Sequence, residues 1–241
     1  GGTSDLAAMG VTQIVFNTSG TGTFSDLTWE LTGPDIPTQV AGVVDVGANT
    51  ITFSALPISI ADSTSDAYTV HAYFSTSPTS TDNQTFILSV DGDTDVTVSA
   101  TGTLMGSTTP VDNSGGPATM DVVHTQLTFT AQPPSGATVG ADFSGQITLS
   151  AQDINGNVDA DFVEAITLSA VKDVDKSPAS GTLASTDTGG LTKTAASGVA
   201  TWTNTTYDTV EVIDIERVSA SYTGIFSTAV DVDANTPVGE T

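Results

Sequence analysis

Five oxygen-bearing side chains fall on alternate positions of one short stretch: Asp153, Asn155, Asn157, Asp159 and Asp161. Hard cations such as calcium take several carboxylate and amide oxygens at once, so this spacing makes the stretch a candidate calcium loop. Asp91, Asp93 and Asp95 repeat the spacing in the first half of the chain, and Asp173 with Asp175 make a third, smaller group. None of the three is in register with an EF-hand, which needs Gly at its sixth position and Glu at its twelfth. The competing expectation is that the Asn-Gly and Asp-Gly steps close hairpin turns, while the remaining acids keep the surface hydrated.

The other chemistry-bearing residues are few. His71 lies between Val70 and Ala72, which alternate inward, and His124 shares parity with Gln126 and Thr128, so both are expected to face solvent. No Ser–His–Asp set and no Gly-rich phosphate loop can be assembled. Carboxylates are numerous enough for a glycosidase-like pair, yet they fall in turns or on outward strand positions, where nothing raises a carboxyl pKa. The chain is therefore expected not to be an enzyme, with no catalytic residue and no required cofactor, calcium being the one ion for which ligands are offered. Asn17, Asn83 and Asn204 each head an N-x-[ST] sequon, a candidate glycan acceptor in an exported protein.

The elements that must position these residues read as strands. Leu127-Thr-Phe129-Thr-Ala131 alternates strictly, Pro133-Pro134-Ser135-Gly136 breaks it, Ile147-Thr-Leu149-Ser-Ala151 alternates again, and Asp153-Ile-Asn155-Gly156-Asn157 turns the chain. This order resembles the immunoglobulin-like repeats of large prokaryotic surface proteins, the group that includes invasin- and intimin-like modules. There an L-x-F-x-x-Q-P-P opening, an A-G-x-x-F-like connection and a D-x-N-G-N turn recur in tandem. The resemblance covers the second half of the chain and implies a cell-surface structural or adhesive role.

The first half alternates as cleanly: Leu27/Trp29/Leu31, Ile51/Phe53/Ala55, Tyr68/Val70/Ala72/Phe74, Phe86/Leu88/Val90 and Val96/Val98/Ala100. A parity switch from Ala55 to Leu56/Ile58/Ile60 predicts a bulge or sheet change near Pro57, and a slip between Val212 and Ile213 predicts another. No sustained 3.6-residue period occurs, so no long helix is expected. The spacing predicts an all-β chain of two tandem immunoglobulin-like antiparallel sandwiches, one over residues 1–104 and one over 122–241 with a short tail from Ala234. Residues 105–121, rich in Gly, Pro and small polar residues, are expected to be a linker that separates the two or lies across one of them.

Charge narrows the partners. The chain carries 28 acidic and 4 basic residues, for a formal charge of −24, and all four basic residues lie after residue 121. Phosphate backbones and anionic lipids need Lys and Arg, so neither nucleic acid nor membrane is an expected partner, and no run reaches the roughly 18–20 apolar residues of a membrane span. The charged fraction is only 13%, there is no cysteine, and Ser, Thr, Gly and Asp fill the difference, which is the look of an extracellular β-protein. The expected function is a structural subunit of a surface filament or layer, self-associating into a homopolymer through packing or an exchanged strand, with Gly1–Asn17 either completing its own sheet or pairing with a neighbouring subunit's edge. The alternative is an adhesin stalk or a carbohydrate- or ligand-binding module. Such a highly charged subunit is expected to assemble better in salt or calcium.

Overall fold

The computed structural model describes residues 8–75, 78–99 and 106–234. Within them the chain is all-β, its strands paired antiparallel except for one short parallel pair, and its one helical element is a single 3₁₀ turn at Phe24–Asp26. Contacts divide it into two compact units, Gly1–Asp121 and Val122–Thr241. Among the described residues, no helix is long and apolar enough to cross a membrane.

The first unit contains β1 (Met9–Gly20), β2 (Leu27–Gly33), β3 (Ile36–Ala41), β4 (Val43–Asp45), β5 (Thr50–Ile60), β6 (Thr69–Phe74), β7 (Thr85–Val90), β8 (Val96–Val98), β9 (Val111–Asp112) and β10 (Ala118–Thr119). One sheet runs β10-β7-β1-β5-β4, with β8 on β1 and β9 on β7; the other is β3-β2-β6. The alternation read from sequence is what lets the two sheets face each other. Leu27, Trp29 and Leu31 of β2 are buried, as are Ile51 and Phe53 of β5 and Phe86 of β7, while the residues between them point away. Burying each such side chain contributes about 1.5–3 kcal/mol.

The parity switch in β5 is a bulge. Val11 pairs with Ile58 but Gln13 pairs with Ser54, so Ala55–Pro57 stand opposite Thr12 alone, and Ala55 takes φ 56°. The extra residues re-aim the strand, so that Leu56 and Ile58 are buried after Ile51 and Phe53.

Two expectations leave alternatives open. The first concerns Gly1–Asn17, which could complete its own sheet or pair with a neighbouring subunit. Residues 1–7 lie outside the described residues, but from Met9 the segment is β1, bonded to β5 on one edge and to β7 and β8 on the other. It completes its own sheet. The second concerns the stretch 105–121. Its described part, 106–121, folds onto the outer edge of β7: Val111 and Asp112 pair with Val90 and Ser89, and Ala118 and Thr119 pair with Phe86 and Thr85. Between them Asn113 accepts the Leu88 N–H through Oδ1 (2.8 Å) and donates its amide to the Phe86 carbonyl (3.3 Å). Met120 then buries its side chain, bonds to the Gln84 carbonyl and accepts the Asn83 N–H. Edge pairing satisfies backbone groups with little apolar surface, which is why a Gly- and Pro-rich stretch can be ordered here.

The second unit contains β11 (Gln126–Ala131), β12 (Gly136–Thr138), β13 (Ile147–Gln152), β14 (Ala165–Lys172), β15 (Leu183–Ser185), β16 (Thr192–Thr194), β17 (Val199–Trp202), β18 (Thr205–Tyr207), β19 (Glu211–Val218), β20 (Ile225–Phe226) and β21 (Val230–Asp233). Its sheets are β11-β13-β17, β12-β21-β19-β14-β16 with β20 on β19, and the pair β15-β18. Pro133-Pro134 carry the chain from the first sheet, where β11 pairs with β13, to the second, where β12 runs parallel to β21. The core is one cluster in which Ile147, Leu149, Ile166, Trp202, Tyr207, Ile213 and Ile215 are wholly enclosed. The bulge expected between Val212 and Ile213 is absent: β19 keeps unbroken register with β21 and β14. The parity is ordinary, and Asp214 is buried on the opposite face because Lys176 covers it.

Candidate functional site

The acidic stretch around Asp153 forms a turn whose oxygens are already spoken for. Asp153 Oδ1 accepts the N–H groups of Asn155 (2.8 Å) and Asn157 (2.9 Å), and Oδ2 accepts the Asn157 amide (2.8 Å). Burial pushes the Asp153 carboxyl up, but these donors outweigh it and leave the pKa below the usual carboxylate value. Asp159 points away from the turn: Oδ2 meets His124 Nδ1 at 2.5 Å and Oδ1 accepts the Asp161 N–H at 2.9 Å. The five alternating residues are therefore not presented as one ligand set. In the first unit, Asp95 Oδ2 accepts the Asn17 amide and the Asp91 N–H, both at 2.8 Å, and Asp91 and Asp93 share the Thr108 hydroxyl at 2.6 and 3.3 Å. Asp173 meets Lys176 and Asp175 caps Ser177. Among the described residues, no three acidic or histidine side chains gather as a metal ion requires.

The sequon asparagines Asn17, Asn83 and Asn204 are all exposed. Asn204 donates its amide to Asp187 at 2.7 Å, and Asp187 also takes Lys193 Nζ (2.9 Å), the Thr203 N–H (2.7 Å) and the Thr203 hydroxyl (2.8 Å). Burial works against the ionised Asp187, yet Lys193 and the three other donors hold its carboxyl far below the ordinary range.

His71 keeps its expected place on the outer face of the β3-β2-β6 sheet, sharing a hydrogen bond with Thr32 (3.0 Å) and stacked on Tyr73. The expectation for His124 is corrected. A carboxylate only accepts, so Nδ1 carries the proton toward Asp159, and the ring packs edge-on against Phe162 (4.8 Å) and Tyr222 (5.8 Å). Asp159 lies 35 residues on and is itself buried, so nothing local in the sequence marks the pair. Tyr222 in turn covers the Arg217 guanidinium at 5.4 Å. Glu164 binds the next turn residue, Ser221, at both its N–H (3.0 Å) and its hydroxyl.

The feature best suited to meeting another chain is in the first unit. Strand β6 ends its sheet, pairing with β2 on one edge and with no strand on the other among the described residues. Beside it the two sheets part into an apolar groove of about 320 Å³, with Val70, Ala72 and Phe74 of β6 on one wall, Leu27 and Trp29 at the back and Phe86 opposite. None of the residues lining it is charged. The alternation of β6 was readable in the sequence; that it lies at an edge depends on long-range pairing and was not.

The chain matches no protein-family model and no curated protein sequence.

Proposed function

We propose that this chain is a structural subunit of an extracellular assembly, a filament or surface layer built of tandem immunoglobulin-like sandwiches, whose copies join at the open side of the first unit. The observation that carries the reading is the edge of β6, unpaired among the described residues, beside an uncharged groove. A subunit at −24 repels its own copies, so a contact between them belongs on a surface free of carboxylates. The groove is such a surface, and the β6 edge offers backbone donors and acceptors to an added strand. The cysteine-free, Thr- and Ser-rich composition fits an exported protein, and the exposed sequons fit a surface open to glycans.

A second reading, a carbohydrate-binding or adhesin module, has one observation in its favour. Tyr73 is 54% exposed and lies parallel to His71 on the outer face of β6, a small platform on which a sugar ring could stack.

Negative-stain electron microscopy of the purified protein, with and without added calcium, separates the two. The assembly reading expects ordered polymers that grow with salt or calcium. It also expects the exposed substitution Ala72→Lys, which places a charge in the groove, to leave folded monomers that no longer polymerise. Monomers under every condition would overturn it, and glycan-array binding lost on Tyr73→Ala would support the module instead.

A further inference from the structure

Arg217 is the chain's one arginine, and it points the wrong way for a charged residue. On β19 it shares parity with Ile213 and Ile215, and its cross-strand neighbours are Leu168 and Ile225. Its exposure is 0%, and Nε, Nη1 and Nη2 are each buried with no hydrogen-bond acceptor. Burial lowers its pKa only to about 10, so the guanidinium stays charged at neutral pH. The ring of Tyr222 lies against it, and an aromatic face repays a fraction of what desolvating a guanidinium forfeits.

The carboxylates whose charge reaches the Tyr222 phenol are engaged elsewhere. Glu164 is engaged by Ser221, and Asp159 by His124 and the Asp161 N–H. Five N–H donors in a rigid fork are the geometry that carboxylates, phosphate and halides seek.

The Tyr222 ring over the guanidinium belongs to a short turn. Ser219 and Tyr222 bond to each other twice, N–H to carbonyl at 2.8 Å and N–H to hydroxyl at 3.2 Å; Glu164 holds Ser221; and Gly224 leaves the turn at φ 69°. Ser221 is exposed, Tyr222 half-buried and Ser219 buried, and none of these bonds belongs to a strand ladder. Lifting the turn therefore breaks them and the Tyr222–His124 ring contact while leaving the ladder pairs in place. No water-sized space touches the guanidinium nitrogens while Tyr222 is in place.

We propose that Arg217 is a gated receptor for a small inorganic anion, which reaches the guanidinium when the Ser219–Gly224 turn lifts Tyr222 away. The charge and donors are preformed inside the sandwich, and the turn sets access. The ligand class is a compact anion, chloride or a tetrahedral oxyanion. Larger anions would have to force apart Leu168 and Ile225, which flank Arg217 in the sheet.

Having one arginine makes the test direct. The Arg217 Nε–Hε resonance is unique in a ¹⁵N spectrum and can be followed while sodium chloride, or separately sodium phosphate, replaces sodium gluconate at constant ionic strength. The proposal expects a saturable shift with at least one of the two, and a melting temperature of the second unit, measured in the full chain, that rises with the same concentration dependence, by roughly 11 °C at a hundredfold excess over Kd. Arg217→Met, close in volume and uncharged, is expected to fold, to be at least as stable as wild type without the anion, and to lose the anion-dependent rise. Tyr222→Ala is expected to tighten binding by removing the gate. An Arg217 resonance unmoved by either salt, or an Arg217→Met protein with the same anion-dependent rise as wild type, would overturn the proposal and leave Arg217 as a buried guanidinium held by its ring contact alone.

Discussion

Tyr207 offers a measurement of how much one hydroxyl contributes to the second unit. Its ring is fully enclosed, and its hydroxyl donates to Glu211 while accepting the Gly181 N–H at 2.7 Å. Tyr207→Phe keeps the ring and removes both bonds. A hydrogen bond to a charged partner contributes about 1.5–3 kcal/mol, and an orphaned buried N–H adds a penalty of about 1 kcal/mol or more. Gly181 retains a longer contact to Glu211 at 3.3 Å, and Glu211 keeps the Ser180 N–H at 2.6 Å, so part of the loss is recovered. The net expectation is about 2–3 kcal/mol. For a unit of about 120 residues the unfolding entropy is about 0.25 kcal/mol/K, which makes this a fall of roughly 10 °C in the melting temperature of the second unit.

The cost should also depend on pH in a defined way. The Tyr207 hydroxyl is the main reason the Glu211 carboxyl lies below its usual value. A depressed carboxyl contributes stability above the unfolded pKa, near 4.3, and loses it as pH falls through the folded value. Burial, with the Glu211 charge, pushes the Tyr207 phenol up to about 12. Its neutral form is therefore favoured in the fold, and that advantage disappears as pH rises from about 10 toward 12. The gap between wild type and Tyr207→Phe is expected to be widest between about pH 5 and 10 and to narrow on both sides. Urea denaturation across that range is the assay. A gap below about 0.5 kcal/mol at neutral pH, or one that does not change with pH, would refute the reasoning.

Asp187→Ala removes the acceptor of Lys193, Thr203 and Asn204 together, leaving Lys193 beside Trp202 with the Thr201 carbonyl at 2.5 Å. The expected loss is about 3 kcal/mol at neutral pH, read by denaturant midpoint, with the difference from wild type shrinking as pH falls below the ordinary carboxylate range. Ala55→Gly should act in the opposite direction: Ala55 has φ 56° in the β5 bulge, and relieving that left-handed strain should raise stability by about 0.5–1 kcal/mol. A loss of stability would mean the alanine methyl packs more than the strain costs.

Much of the fold was legible because alternation is a local signal. Trp29, Phe53, Leu149 and Trp202 fall on inward positions of runs whose neighbours are polar, and all are buried. The two-residue strands β9 and β10 were not legible, because pairing to β7 replaces the apolar burial that a sequence would otherwise advertise. The acidic turns show what spacing leaves out: Asp153 is two and four residues from N–H groups that fold back onto it, local bonds that alternate carboxylates alone do not advertise. His124 depended on Asp159, 35 residues on, and Arg217 on the strand pairing that turns its parity inward beside Leu168, so their types were visible and their surroundings were not.

The stretch 106–121, zipped along β7, has a mechanical side. It is held by four residue pairs, by the Asn113 side chain and by the Met120 anchor, whereas β1 is clamped along both edges. Tension applied through the end of the first unit would peel these few bonds one after another, the low-force geometry of an unzipping seam, before it loaded the β1 ladder in shear. Fully paid out, the sixteen residues span roughly 55 Å. The seam would thus act as a rip-stitch, yielding length and dissipating work under a transient pull, and it could close again when the load is released.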